Sequence, residues 1–406
     1  MPSSSLWTHR IGALAVGLGL AMSAVIVPCW WSIARYHNPT CTIYKPDFVS
    51  FYTGAKLIWT DKSSLYDLDK QRSIQYPIDP SRGDWVLPYF YPPFFALALV
   101  PLAWLSFSAA FVTMTLINIT LLVLALKILI STLALNPQQV KWLGLTTFCN
   151  YGVHYALLEG QTSFIVLLLL ALFVSAFNTP ASKKLGIWAG LMAFKPQLAL
   201  VPVILLIARR RWSALGLVMV VLGLLGLISL SVIGFEGVRQ YFLASRQAIS
   251  AESYFPHMRP EQPERMHNLR ALAYYFFAAP WRDYVWWIST LLALGGAALN
   301  EWVPEADDRN FPRRWVITLC ILILATPHLH DHDVTLLIVP TAFALKWTGD
   351  VISGSVALVL SVLGVLPLIN AIGYPHLPPL LAIALLLFLA IDCWLEWSRS
   401  TFLKAT

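Results

Sequence analysis

One carboxylate, Asp47, lies in a polar segment, Tyr44 to Ala55, that directly follows the first long apolar run of the chain. That run is long enough to cross a bilayer, so Asp47 is expected close to the membrane surface. A carboxylate in this position could take the proton of a sugar hydroxyl beside a lipid phosphate, which makes Asp47 a candidate catalytic base. The alternative is a loop acid or a helix N-cap, because Asp is a preferred cap and a helical pattern follows it.

A lysine lies in the middle of the apolar stretch 185–208, where Lys195 is followed by Pro196. A charge in lipid costs a few kcal/mol or more, and a proline removes a hydrogen bond from a helix. We therefore predict a broken helix beside a polar cavity. There the Lys195 ammonium would act as a point-charge partner for a phosphate. The alternative is a lysine that snorkels to the interface.

Three further candidate substrate-binding residues lie in short connections. Glu159-Gly160-Gln161 joins two predicted spans, where Gln161 could hydrogen-bond a sugar hydroxyl and Glu159 is an unusual acid for that depth. The alternative is a simple turn. Tyr91 precedes two prolines whose simplest role is to begin the next helix.

A histidine cluster, His328-Leu-His-Asp-His-Asp333, follows a later apolar run. Imidazole and carboxylate suit zinc or manganese. Adjacent spacing lets only some of these side chains converge, so a solvated helix end or a substrate-binding role of the cluster is favoured. We predict no metal site and no cofactor. A metal-dependent membrane enzyme is a third alternative and would lose activity on chelation.

Composition places the chain in the membrane class. Hydrophobic residues make up 58% and charged residues 12%, with a mean hydropathy of +0.66, far from the roughly 25% charged residues of a soluble domain. The net charge of +7 comes from Arg and Lys between apolar runs, which encode orientation rather than nucleic-acid binding. Four of the five cysteines lie in apolar segments, so no disulfide framework follows.

The basic residues predict the topology of a single polytopic domain over 1–406, an all-α bundle of about ten spans plus re-entrant and juxtamembrane helices. The N-terminus is predicted to be cytoplasmic, with a first external loop at 35–88 and a second at 236–283. The candidate site residues then fall on the external face, except Lys195, which points into the membrane from between two half-helices. The predicted segments are 11–34, 91–106 (lying in the outer face), 109–131, 142–158, 162–178, 185–208 (broken), 213–235, 284–300, 315–327, 334–345, 351–372 and 378–397.

The order of these motifs resembles a known family, the polyprenol-phosphate-mannose-dependent mannosyltransferases of glycosyltransferase family 87, in the GT-C superfamily. The resemblance spans residues 40–335 and depends on order and spacing rather than on one strong motif. One departure is the Asn-rich motif of the second large loop, which is reduced here to His267-Asn268-Leu. The matching pieces are Asp47 with Phe51-Tyr52 and Ala55, Ser64-Leu-Tyr66-Asp67, Phe90-Tyr-Pro-Pro93 with Pro101-Leu102, Glu159-Gly160-Gln161, Gly190 to Lys195-Pro196-Gln197, and Arg210-Arg211-Trp212.

The resemblance implies a GT-C fold in which Asp47 is the catalytic aspartate of the first external loop. It also implies a polyprenyl-phosphate sugar donor and a contribution from His328 or His330. The predicted function is inverting transfer of a hexose, with mannose favoured, to a lipid or glycan acceptor on the extracytoplasmic face of a bacterial plasma membrane. The alternative is a transporter or flippase for a lipid-linked or anionic solute, which would use Lys195 and the broken helix as a midplane site.

Overall fold

The computed structural model describes residues 46–78, 80, 86–177, 182–249, 266–302, 311–373 and 377–405, together with 16–17, 19–24 and 27–28. All regular secondary structure in these residues is helical, which agrees with the predicted all-α class. Most of the predicted first span, residues 250–265 of the predicted second external loop and the turn at 374–376 lie outside the described residues. The α-helices are Phe48–Thr60, Leu68–Ile78, Pro93–Ala98, Val100–Ala103, Phe107–Thr132, Pro137–Phe148, Tyr151–Glu159, Ser163–Phe177, Lys184–Leu191, Pro196–Ala208, Trp212–Ile249, Leu269–Phe276, Trp281–Glu301, Phe311–Ala325, Ile338–Gly373 and Leu380–Ala405.

Two of these helices, Phe107–Thr132 and the part of the next long helix over Trp212–Arg246, are long and apolar enough to cross a membrane. The second contains Gly234, whose φ of 69° and ψ of 179° interrupt the helical path. The helix resumes after Gly234 and continues to Ile249, so the first part of the predicted second external loop, 236–283, is helical. The charged residues in this part of the chain are compatible with a helix, because Glu236 and Arg239 form an ion pair along one helix face at 2.6 Å.

The predicted span 142–158 is divided between two helices, Pro137–Phe148 and Tyr151–Glu159. Asn150 lies between them with an extended backbone, φ −78° and ψ 111°. Its side-chain Nδ2 donates to the carbonyl of Val334 at 3.2 Å. The apolar pattern hid this break, because one buried Asn with a distant partner gives no periodic signal.

The predicted break at Lys195 is confirmed. The helix Lys184–Leu191 passes into a 3₁₀ turn, Met192–Phe194, and a new helix begins at Pro196. Lys195 lies between them with φ −120° and ψ 79°, outside the helical region. Proline at the first position of the second helix fits this start, since its missing N–H has no helical partner there.

The helix Ile338–Gly373 changes direction along its length. Asn150 donates to Val334 O at 3.2 Å, and a Cβ built on Gly364 would lie 3.1 Å from Asn150 Cα. In a straight helix, residue 364 would be about 39 Å from residue 338. The helix therefore bends back between these two positions.

Close backbone packing holds the first half of the broken helix in place. A Cβ on Gly186 would lie 2.3 Å from Ala214 O, and one on Gly190 would lie 2.7 Å from Val221 Cβ. Glycine therefore lets Lys184–Leu191 lie directly against the long helix that begins at Trp212. This contact fixes where the break, and with it Lys195, stands in the bundle.

Candidate functional site

Asp47 occupies the position before the helix Phe48–Thr60, but within the described residues its carboxylate makes no capping hydrogen bond to that helix. Instead, Gln161 Nε2 donates to Asp47 Oδ2 at 2.7 Å. The backbone N–H of Asp47 donates to Glu159 Oε2 at 2.6 Å. The turn Glu159–Gln161, more than a hundred residues later in the chain, therefore contacts both the backbone and the carboxylate of Asp47. A residue that served only as an N-cap would not need these contacts.

The turn that holds Asp47 is itself fixed by a glycine. Gly160 has φ +62°, a left-handed conformation that ends the helix Tyr151–Glu159. A Cβ there would lie 2.8 Å from Phe48 Cβ, so a larger residue would push the turn away from the segment that carries Asp47. Asn118 Nδ2 donates to the Gln161 carbonyl at 2.8 Å, and both Glu159 and Gln161 are buried. The short loop Glu159–Gln161 is therefore more than a simple turn, because it holds the segment that carries Asp47.

Lys195 forms a buried ion pair with Asp333. The Nζ to Oδ1 distance is 2.9 Å, and each residue is only 1% exposed. Ser163 Oγ donates to the same Oδ1 at 2.8 Å and lies 3.4 Å from Lys195 Nζ. A buried ammonium needs such partners, because desolvation of a charge costs several kcal/mol. The snorkelling alternative does not fit a side chain closed to solvent.

Tyr91 connects the Asp47 group with the Lys195 group. Its ring lies 5.7 Å from the ring of Phe95, which stacks at 4.5 Å on Phe194, the residue before Lys195. Its ring lies 4.9 Å from the ring of Phe51, in the helix that follows Asp47. The acid and the amine therefore face one continuous region around Tyr91.

The histidines form a row at the other side of Asp333. The rings of His328 and His330 are 6.3 Å apart, and those of His330 and His332 are 5.7 Å apart and stacked. His332 Nε2 lies 3.4 Å from Asp333 Oδ2. Burial lowers the pKa of His332 to about 3, so this imidazole is neutral at neutral pH. Burial alone would raise the pKa of Asp333, but the charge of Lys195 outweighs it and holds that pKa below its usual range.

A pair that the sequence did not single out ties the second loop to the histidine segment. His267 Nε2 and Asp331 Oδ1 are 2.8 Å apart, and His267 N–H donates to Leu329 O at 2.9 Å. Asn268 Nδ2 donates to Thr326 O at 2.8 Å, while Asn268 Oδ1 accepts from Ala271 N and caps the next helix. The His267-Asn268 pair was visible in the sequence only as a reduced motif.

Asp333 and Ser163 were also missed as partners of Lys195, although a buried lysine in itself requires an acid. Among the described residues, no three His, Cys, Asp or Glu side chains converge in a way that could hold a metal ion. The clustered groups are instead a held carboxylate, a paired ammonium and neutral or paired imidazoles. Such groups can accept a proton and bind an anion.

Two apolar helices of membrane-spanning length, and buried acid, amine and imidazole groups at helix breaks and ends, are features expected of a membrane-bound enzyme or transporter. The chain belongs to glycosyltransferase family 87, whose sequence profile matches residues 89–327, more than half of its 406 residues. Membership of this membrane family implies glycosyltransferase activity, with a sugar donor and an acceptor. No curated protein and no solved structure gives a significant match.

The matched region contains four of the candidate site residues: Tyr91, Glu159, Gln161 and Lys195. Asp47 lies before it, and His328 and His330 lie just after it. The contacts of Asp47 with Glu159 and Gln161 nevertheless join the earlier segment to the matched region.

Proposed function

We propose that the chain transfers a hexose, with mannose favoured, from a polyprenyl-phosphate sugar to a lipid or glycan acceptor on the extracytoplasmic face of the membrane. The observation that carries this proposal is the Asp47 carboxylate. It is held by Gln161 at 2.7 Å in a chain of glycosyltransferase family 87. The face and the bacterial plasma membrane follow from the charge pattern of the sequence and from the family resemblance.

In the proposed reaction Asp47 takes the proton of the acceptor hydroxyl as its oxygen attacks the anomeric carbon of the donor sugar. The bond from that carbon to the phosphate oxygen breaks, and the polyprenyl phosphate leaves with the bonding electrons. Attack opposite the leaving group inverts the configuration. A phosphate is a good leaving group, so the protein needs a base and cationic stabilisation of the phosphate but no general acid.

The neighbouring residues divide between orientation and binding. Gln161 donates to one carboxylate oxygen of Asp47, and Glu159 fixes its backbone, so the carboxylate is oriented before the acceptor arrives. Lys195 supplies the charge for the donor phosphate. Tyr91, His328 and His330 supply further contacts to the substrate from the same region.

The test is a transfer assay on purified protein in nanodiscs, with radiolabelled polyprenyl-phosphate mannose and a lipid and glycan extract of the source organism. Asp47→Asn should lower transfer at least about a hundredfold, because a proton acceptor typically contributes that much. Donor affinity should stay within about threefold, since Asn keeps the size of the side chain and removes only its charge. Asp69→Asn, an exposed acid in the same loop, is the matched control and should transfer normally.

Two results would contradict the proposal. Near-wild-type turnover of Asp47→Asn would remove the base. Absence of transfer by the wild type with mannosyl and other hexosyl donors, together with label crossing the bilayer of proteoliposomes, would favour the transporter alternative.

A further inference from the structure

The ammonium assigned to the donor phosphate is already neutralised. Lys195 Nζ lies 2.9 Å from Asp333 Oδ1, and both residues are 1% exposed. A donor phosphate that approaches Lys195 therefore meets a carboxylate on the same ammonium. Two anions within a few ångströms of each other in a buried site repel strongly.

Neither member of the pair is free to move far. Lys195 is fixed at the break between Met192–Phe194 and Pro196–Ala208. Asp333 lies in the 3₁₀ turn Asp331–Leu337, and its N–H donates to His330 O at 2.9 Å. Ser163 Oγ donates to the same carboxylate oxygen at 2.8 Å, which stabilises the charge where it is. The Asp333 carboxylate is therefore a fixed part of the proposed phosphate-binding site.

The segment 161–163 places the pair in the same region as Asp47. Gln161 Nε2 donates to Asp47 Oδ2 at 2.7 Å, and Ser163, two residues later, donates through Oγ to Asp333 Oδ1 at 2.8 Å. A phosphate placed so that its sugar reaches Asp47 is therefore within the field of Asp333 as well as of Lys195.

We propose that Asp333 is a resident counterion that holds Lys195 ready before the donor binds and then weakens the grip of Lys195 on the phosphate after transfer. This role rests on the proposed function. The donor is a phosphodiester with one negative charge. The product is a phosphomonoester with a charge of about −1.5 to −2 at pH 7. Lys195 alone would hold the product more tightly than the donor, and a fixed carboxylate beside it offsets that difference, so that release does not limit turnover.

The experiment measures the affinity of the full-length protein in nanodiscs for polyprenyl phosphate, without a sugar, as the probe. Asp333→Asn should tighten binding by about tenfold, because one like charge beside the phosphate is removed. In transfer assays kcat should fall and product inhibition should become stronger. Asp333→Glu keeps the charge and should bind the probe as the wild type does.

The matched control is Asp331→Asn. This variant removes an acid two residues away that pairs with His267 rather than with Lys195. Its affinity for polyprenyl phosphate should stay within about twofold of wild type, since that acid has no contact with the ammonium. A purely structural role of Asp333 could only weaken binding, so a gain in affinity separates the two explanations. A folded Asp333→Asn protein whose affinity rises less than about fivefold overturns the proposal.

If Asp333→Asn does not fold, a measurement on the wild-type protein tests the proposal instead. Its affinity for polyprenyl phosphate is compared with that for the methyl diester of the same lipid, which carries one charge. A preference for the monoester below about fivefold supports a resident counterion, and a larger preference overturns it. The proposed function fails separately, when the wild type neither transfers sugar nor binds polyprenyl phosphate.

Discussion

The contact between Gln161 and Asp47 offers a sharp test of how the proposed base is held. Gln161→Glu keeps the shape of the side chain but exchanges its amide, which donates to Asp47 Oδ2 at 2.7 Å, for a carboxylate. A donated hydrogen bond to a charged group is lost, and two acids then face each other at the same distance. Carboxylates that share a site cannot both ionise at neutral pH, so one of them takes up a proton.

The size of the effect follows from this geometry. A hydrogen bond to a charged group contributes about 1.5–3 kcal/mol. Repulsion between two charges about 4 Å apart adds about 4 kcal/mol at an effective dielectric constant of 20. Protonation of one acid avoids part of that repulsion but lowers the basicity available to the acceptor hydroxyl. We therefore expect kcat to fall about a hundredfold or more in a single-turnover transfer assay with saturating donor.

A second buried glutamine provides the control. Gln139 Nε2 donates to Leu345 O at 2.8 Å, far along the chain from the Asp47 turn, and Gln139 is also buried. Gln139→Glu makes the same chemical change and should lower stability without lowering kcat of the folded protein. Transfer by Gln161→Glu within about twofold of wild type would refute the orientation of Asp47 by Gln161. An equal loss of kcat in both variants would show that the effect comes from a buried charge alone.

Two further predictions concern stability. Glu301→Gln removes the buried carboxylate that lies 2.7 Å from Arg209, so the free energy of unfolding in detergent should fall by about 3 kcal/mol or more. Transfer per folded molecule should be retained. An unchanged unfolding temperature would show that this pair does not stabilise the fold. The His332 pKa of about 3 lies below the ordinary value of about 6.5, so between these pH values the unfolded chain binds a proton that the folded protein does not. Stability should therefore fall as pH falls, by about 2 kcal/mol from pH 7 to pH 5, and His332→Asn should flatten that slope; an equally steep slope in the variant would refute the assignment.

The elements that the sequence predicted well are those with a local signal. The long apolar run ending near Leu126 becomes the helix Phe107–Thr132. Lys195-Pro196 in an apolar stretch required a break, and the chain breaks there. In both cases a burial cost or a missing hydrogen bond acts within a few residues of its cause, so the consequence can be read from the neighbouring residues.

The features that the sequence did not predict depend on distant partners. The break at Asn150 relies on a bond to Val334, and the pairing of His267 with Asp331 joins segments more than sixty residues apart. Asp333 was visible only as one member of a polar cluster. Its choice as the partner of Lys195 depends on how the two helix ends meet. Such pairings follow from how the helices pack against each other. The hydrophobic periodicity of one segment carries little information about that packing.

The two buried ion pairs use different cations, and the difference agrees with their proposed roles. Lys195 precedes the helix Pro196–Ala208 and Arg209 follows it, about 20 Å away. Arg209 grips one oxygen of Glu301 with two nitrogens, Nε at 2.9 Å and Nη2 at 2.7 Å, while Thr318 donates to the other oxygen at 2.8 Å. A planar guanidinium suits such a permanent bond, whereas a lysine is a compact charge on a flexible stem that can share itself between partners. A site that holds a fixed carboxylate and must also bind and release a phosphate is better served by lysine. Of the two cations, Lys195 is the one that contacts Ser163, two residues after the Gln161 that holds Asp47.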